Sequence, residues 1–404
     1  MPKAELLAVG DALAQILADA SPLPAEDVSL DDSLGRVLTE DLKALRTQPP
    51  ADVSAMDGYA VRGADVATAP VTLKLVGEVA AGHPFAGRVG AGQAARIFTG
   101  GVMPDGTDTV VIQELTKREG DMVAINKPTA KGRNVRNEGI DFTAGQVLLT
   151  KGHRLSDRDL MLAAAMNYPR LRVHRRPKVA VLGTGDELVP PGSAPKPGEI
   201  VYSNGYALRA LAQSEGAVPI DLGVVGDRIE AITAAVRRAR AEKADVLLTT
   251  GGASVGEHDL VQKALAAEGL ALSFWRLALR PGRPMMYGRL GALQVLGVPG
   301  NPVSSYVCTF LFLVPLLRAL AGRSDAVLAR AQARLGRELP ENDEREDYLR
   351  ATLADGPEGM VATPLANQDS SLMAPLSAAQ CLVIRPPHAP KAAAGSPCVI
   401  LKLA

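Results

Sequence analysis

Between residues 179 and 320 the chain repeats one pattern: a short apolar run, a turn, then a stretch with apolar residues at helical spacing. The apolar runs occupy 179–182, 218–225, 246–249 and 293–298, and the helical stretches 205–213, 229–241, 259–267 and 303–320. Strand and helix in alternation close a core as right-handed crossovers between mostly parallel strands. The expected fold of this region is a doubly wound, mostly parallel α/β sheet, whose ligands bind outside the carboxyl ends of the strands.

The flanking segments have other textures. Residues 6–19 carry apolar positions at helical spacing, and the acidic stretch 26–32 leads into a second short helical pattern at 34–42. From Thr47 to Asp141, short alternating apolar runs are split by Gly and Pro, as in a compact all-β module. Residues 145–169 return to helical spacing, so the module is expected as an insertion into a helical linker made from both flanks. From Arg330 onward come short strands split by Asp, Gly and Pro. The expected organisation is multidomain α/β plus β. It comprises a discontinuous helical linker domain (1–46 and 142–176), an inserted β module (47–141), the α/β domain (177–327) and a small barrel-like C-terminal β-domain (328–404).

Composition removes several functions. Lys plus Arg number 44 against 44 Asp plus Glu, so the chain lacks the positive surplus that nucleic acid or an anionic membrane demands. Aromatic residues are only 3%, too few for base-stacking platforms. Cys308, Cys381 and Cys398 are odd in number without a Cys-x-x-Cys pair, and the five His are scattered, so neither a disulfide framework nor a zinc site is expected. The N-terminus has no signal-peptide layout, and the longest apolar run, 306–317, contains Pro315 and is short for a membrane span. The expected home is a reducing cytosol.

The chemistry concentrates in the turns after the parallel strands. Thr249-Thr-Gly-Gly-Ala-Ser-Val-Gly-Glu-His-Asp259 can aim backbone N–H groups at an anion, with a helix N-terminus behind them. It is a candidate phosphate cradle or a structural strand-to-helix turn. Asp186, Glu187, Asp227 and Asp259 all fall at strand ends; gathered carboxylates repel, so as a set they imply a hard cation such as Mg²⁺. Asp259 alone fits a helix cap equally well. Arg280-Pro-Gly-Arg283-Pro284 places two guanidinium groups about a tight turn, able to face one oxyanion, or else forms a solvated hairpin tip. In the β module, Asp57 precedes a Gly-Tyr turn, Thr99-Gly-Gly makes a second glycine loop, and Asp141 ends the module.

Together these segments resemble the molybdopterin molybdenumtransferases and the related C-terminal part of gephyrin. The matching motifs are Ser54-Ala-Met-Asp-Gly-Tyr-Ala60, Thr99-Gly-Gly-x-x-Pro104, Asn134-Val-Arg-x-x-Gly-x-Asp141, Thr184-Gly-Asp-Glu-Leu188, the Thr249 to Asp259 loop, Pro299-Gly-Asn-Pro-Val-Ser304 and Arg345-x-x-Tyr-x-Arg350. The Thr249 to Asp259 loop is shared with molybdopterin adenylyltransferases. Three positions depart from the family pattern: Arg280 and Arg283 stand where Lys is usual, and Gly183 where Ser often precedes Thr184. The resemblance implies an enzyme that inserts molybdenum from molybdate into adenylylated molybdopterin, with Mg²⁺ and release of AMP. Asp57, Asp141, Asp186 and Glu187 are then the candidate catalytic residues. Thr99, Thr184, Gly251, Gly252, Ser254, Asp259, Pro299 and Pro302 would bind substrate, and Asp227 with Asp259 would hold Mg²⁺. Arg280, Arg283, Arg350 and Ser370 would attract molybdate. A homodimer is implied, the partner supplying Asp57 and Asp141, and the adenylyltransferase and recipient molybdoenzymes are implied partners. The alternatives are a molybdopterin adenylyltransferase and a gephyrin-like scaffold with a vestigial site.

Overall fold

A computed structural model describes residues 6–251 and 260–403 of the chain. At its centre lies a six-stranded sheet in the order Val218–Val225, Lys178–Thr184, Val246–Thr250, Leu293–Val298, Met286–Leu290, Ala271–Trp275. The first four strands are parallel, as their apolar runs and intervening helices predict. The sequence pattern did not reveal the last two, which extend the sheet through antiparallel pairing of Met286–Leu290 with both neighbours.

Successive side chains of the central strands alternate between two cores. Val179, Val181, Val246 and Leu248 join Leu208, Ala212 and the Pro302–Leu320 helical rod on one face. Ala180, Leu182, Leu247 and Val295 meet Ile232, Val236, Val261 and Leu265 on the other. This two-sided burial explains why the strands read as unbroken apolar runs.

The rod does not stop at Pro315. A π turn at Thr309–Leu313 separates helix Pro302–Cys308 from helix Val314–Leu320, shifting the hydrogen-bond register so that the missing proline N–H breaks nothing. The rod is long and apolar enough to cross a bilayer by length and composition, but most of it is buried in the core of the sheet domain. The expectation of a run too short to span is thus corrected in length; burial accounts for its apolarity.

Helix Val9–Ala18 forms as expected, and it buries Val9, Ala12 and Ile16 in the sheet-domain core. The helix expected at 34–42 does not form. Leu38 bridges Val173, and Leu42–Lys43 pairs with Val147–Leu149, because tertiary pairing overrides a short pattern without caps. Ala25–Ser29 pairs antiparallel with Arg170–His174, so this region is built from both flanks of the inserted module, with strands as well as a helix. Helix Asp157–Ala165 starts at a capping box between Ser156 and Asp159.

The inserted module is all β. Its six strands run Thr109–Ile112, Gly58–Val61, Gln93–Ile97, Val71–Val79, Met122–Ile125, Thr116–Glu119. The C-terminal strands close into a ring: Glu346–Gly356 pairs with Gly359–Pro364, which reaches Arg330–Leu335, then Pro397–Lys402, then Cys381–Arg385, which returns to Glu346–Gly356. The expected small barrel is therefore present. One more strand, Leu279–Arg280, leaves the sheet domain and pairs with Glu346–Gly356 at the barrel's edge. Cys308, Cys381 and Cys398 are all free and buried.

Candidate active site

The carboxyl ends of three parallel strands open onto one cleft of about 560 Å³. Thr184 ends the first strand, Thr250 and Gly251 the second, and Pro299, Gly300, Asn301 and Pro302 follow the third. Glu187, Pro284, Ser371 and Met373 complete its walls, so the C-terminal segment helps to enclose it. Gly251 has a φ of +92°, and a Cβ there would lie 2.6 Å from the Thr184 carbonyl, so the turn requires glycine to draw the two strand ends together. Asn301 Nδ2 donates to Ser370 Oγ at 3.0 Å and Val303 N–H to the Ser370 carbonyl at 3.1 Å, which pins that segment onto the cleft.

Beside the cleft the acids gather. The Asp227 N–H donates to Asp186 Oδ1 at 3.1 Å, across neighbouring strands of the sheet. Burial, then the nearby charges of Asp186 and Glu187, push the Asp227 carboxyl above the ordinary range. Among the described residues no guanidinium pairs with these acids, and hard oxygens of this kind could contribute one or two carboxylates to a cation such as Mg²⁺, whose shell water and substrate phosphate complete. Among the described residues no three His, Cys, Asp or Glu form a ready-made metal cage. Gly252, Ser254 and Asp259 lie outside the described residues.

Three family models match in chain order. The MoeA N-terminal region covers residues 7–167, a probable molybdopterin binding domain 180–319 and the MoeA C-terminal region 332–403. A molybdopterin molybdenumtransferase of Nostoc sp. is 38% identical over 81% of this chain and 77% of its own length. The chain belongs to the molybdopterin molybdenumtransferase family. The enzyme of that name from Bacillus subtilis is 33% identical over 89% of this chain and 86% of its own length. A molybdopterin biosynthesis MoeA protein from Pyrococcus horikoshii superposes with a TM-score of 0.85 at 29% identity, over 99% of this chain and 100% of that one. The chain is accordingly a transferase of molybdenum cofactor biosynthesis.

The two arginines of the Pro-Gly turn part company in this family member. Arg280 stands in register with Asp347, and its guanidinium bonds Asp347, Asp343 at 3.1 Å and Asn342 at 3.0 Å. It faces the barrel's carboxylates instead of an open oxyanion site, which corrects the expectation of a guanidinium pair. Arg283 is exposed, with no side-chain hydrogen bond or ion pair among the described residues, next to Pro284 on the cleft wall. Gly282 between them has no room for a side chain, since a Cβ would lie 2.3 Å from Cys308 Sγ. Arg350 is only 1% exposed. Its Nε donates to Gln368 Oε1 at 3.2 Å and its Nη1 to the Leu372 carbonyl at 3.3 Å, while Nη2 has no partner among the described residues. It thus braces the loop that carries Ser370 and Ser371.

In the β module, the three motifs converge. Ser54 exchanges backbone hydrogen bonds with Gly100 and Gly101 at 2.9 and 2.8 Å, and Ala55 N–H reaches the Asn134 carbonyl at 2.9 Å. Asp57 Oδ1 accepts from both the N–H and the hydroxyl of Thr99 at 2.8 Å. These bonds hold its carboxyl below the ordinary range, with a smaller pull from Arg96. Asp141 is exposed, its N–H bonded to the Gln48 carbonyl at 3.2 Å. No hydrogen bond or ion pair among the described residues joins Asp57, Thr99 or Asp141 to the strand-end cleft, so within one chain the expected catalytic set falls into two groups.

Sequence reasoning missed Tyr202 and Asn204. Asn204 Nδ2 donates to the Gly300 carbonyl at 2.7 Å, tying the start of helix Asn204–Ser214 to the cleft. The Tyr202 ring fills the space a side chain at Gly183 would need, 2.8 Å from the Cβ position, and its hydroxyl crowds Gly205. The departure at Gly183 is thereby explained: a serine there would collide with Tyr202. No local pattern marks this packing, since it joins residues across a loop.

Proposed function

We propose that this chain transfers molybdenum, supplied as molybdate, to adenylylated molybdopterin and releases AMP. The carrying observation is the juxtaposition of a strand-end cleft with three acids beside it that make no ion pair among the described residues. The backbone at Thr250 and Gly251 and the Thr184 hydroxyl would receive the phosphate-bearing part of the substrate. Arg283, exposed beside Pro284, would draw the molybdate oxyanion to the same cleft, with Arg350 steadying Ser370 and Ser371 from beneath. Asp227 and Asp186, with Glu187 nearby, would offer Mg²⁺ two carboxylates, the substrate phosphate and water completing its shell. When bound, the ion would neutralise the phosphate charge that develops as AMP departs.

Asp57 would orient the attacked phosphate. Its anionic form is secured by Thr99, and an anion at this point serves as a fixed electrostatic and hydrogen-bonding group. Because no hydrogen bond or ion pair among the described residues joins Asp57 to the cleft, the reading includes a homodimer in which each β module completes the partner's cleft. Three free buried cysteines suit a reducing compartment, so the reading places the enzyme in the cytosol.

Purified Asp57→Asn protein, given adenylylated molybdopterin, molybdate and Mg²⁺, is expected to release AMP at least about tenfold more slowly. Its size-exclusion volume should match the parent's. A near-normal rate overturns the assignment of Asp57, and formation of adenylylated pterin from molybdopterin and ATP would make the chain an adenylyltransferase instead.

A further inference from the structure

Arg96 sits on strand Gln93–Ile97, directly opposite Tyr59 in the register with Gly58–Val61. Its guanidinium touches both loops that make the Asp57–Thr99 pair. Nη1 donates to the Gly58 carbonyl at 3.1 Å, and Nη2 to Gln113 Oε1 at 2.8 Å. The guanidinium carbon stands 5.2 Å from the Tyr59 ring centroid and 4.7 Å from that of Phe98. Gln113 in turn sends its backbone N–H to the Asp57 carbonyl at 3.1 Å. The residues on the C-terminal side of Asp57, and the residue before Thr99, are therefore held by one planar cation.

We propose that Arg96 is the positioning residue for Asp57, clamping the Asp57 and Thr99 loops so that the carboxylate meets substrate in a single orientation. The proposal rests on the reading of Asp57 as a group that acts on substrate. A planar fork is needed for this task, because two hydrogen bonds and two ring faces must be satisfied at once; a lysine ammonium offers charge but neither the plane nor the fork. Arg96 is also the charged group whose field acts on the Asp57 carboxylate. Loss of the clamp loosens the two Thr99 hydrogen bonds and removes that field. Both changes raise the pH at which Asp57 takes up its proton.

The test is the pH profile of AMP release by the whole enzyme supplied with adenylylated molybdopterin, molybdate and Mg²⁺. Arg96→Met is expected to lower kcat by about ten- to a hundredfold, with KM little changed, and to move the acid limb to higher pH. Arg96→Lys falls between it and the parent. An acid limb that stays in place, with kcat reduced only in proportion to the folded fraction, overturns the proposal. Should Arg96→Met fail to fold, Gln113→Leu removes one arm of the clamp and must move the limb in the same direction by a smaller amount; no movement again overturns it. Asp57→Asn assayed alongside separates the claims. If that variant is inactive while Arg96→Met behaves as the parent, only the Arg96 proposal fails; if Asp57→Asn turns over normally, the Asp57 reading fails and the Arg96 proposal falls with it.

Discussion

Two groups of carboxylates in this chain are treated in opposite ways. At the seam between the sheet domain and the barrel, Asp343 and Asp347 meet Arg280 and Arg345. Arg345 foremost, with Arg280 beyond it, holds the Asp343 carboxyl down at about 2. At the strand ends, Asp186, Glu187 and Asp227 meet one another, and the Asp227 carboxyl is pushed up. Pairing makes the seam a joint. Among the described residues no ion pair offsets the strand-end acids; gathered like charges destabilise a fold, and a bound cation would relieve them.

The largest effect should come from breaking the seam. Asp347 is 3% exposed and its Oδ1 has no hydrogen-bond partner among the described residues, so Arg280→Met strands a buried carboxylate. Removing one partner of such a pair costs about 3 kcal/mol, read as a lower midpoint in chemical denaturation. The sign with pH is definite. Burial already raises the Asp347 carboxyl, and without Arg280 it rises further. A carboxyl raised in the folded state lets the unfolded chain ionise first, so the variant loses stability as pH climbs past the ordinary carboxylate value and recovers part of it in acid. An unchanged midpoint together with lost activity would move Arg280 out of the joint and into the anion site.

The same contrast explains what could be read from the sequence. The parallel strands were legible because two-sided burial makes them continuous apolar runs, and the strand-end turns followed from the topology. Met286–Leu290 and Ala271–Trp275 were not legible: the first contains Gly288 and Arg289, and the second has an exposed Leu272, so neither reads as a buried strand. The false helix at 34–42 came from Leu38 and Leu42, whose spacing of four suits a helix but which sit in paired extended segments. Within the site, the motif residues were visible but their partners were not. That Arg280 belongs to Asp347 depends on register across 67 residues, and the Asp57–Thr99 pair spans 42. Neither separation leaves a local signature.

A smaller effect on stability, and a large one on turnover, should follow from neutralising the strand-end group. Asp227→Asn removes repulsion with Asp186 and Glu187, so the denaturation midpoint should stay level or rise slightly, while AMP release falls by about thirtyfold or more. The sign again follows from the direction of the shift. With its carboxyl raised in the folded state, the parent gives up a little stability as pH rises past 3.8, and the Asn variant does not. Asp227 is exposed, so solvent screening keeps the difference small. A clear drop in midpoint would mean that Asp227 is a structural group like Asp343, and the contrast between the two clusters would fail.

The smallest effect is the most direct test of what completes the strand-end acids. A ligand that binds only the folded state raises the unfolding temperature in proportion to the logarithm of its saturation. Millimolar Mg²⁺, added without substrate, should raise the parent's unfolding temperature by about 1–2 °C, because two carboxylates without substrate phosphate hold the ion weakly. The rise should vanish in Asp227→Asn and persist in Arg280→Met, whose lost charge lies at the seam. Equal responses in all three proteins would show that the ion binds elsewhere, and the repulsion at Asp186, Glu187 and Asp227 would then have to be relieved by a cationic group of the substrate or of the second subunit.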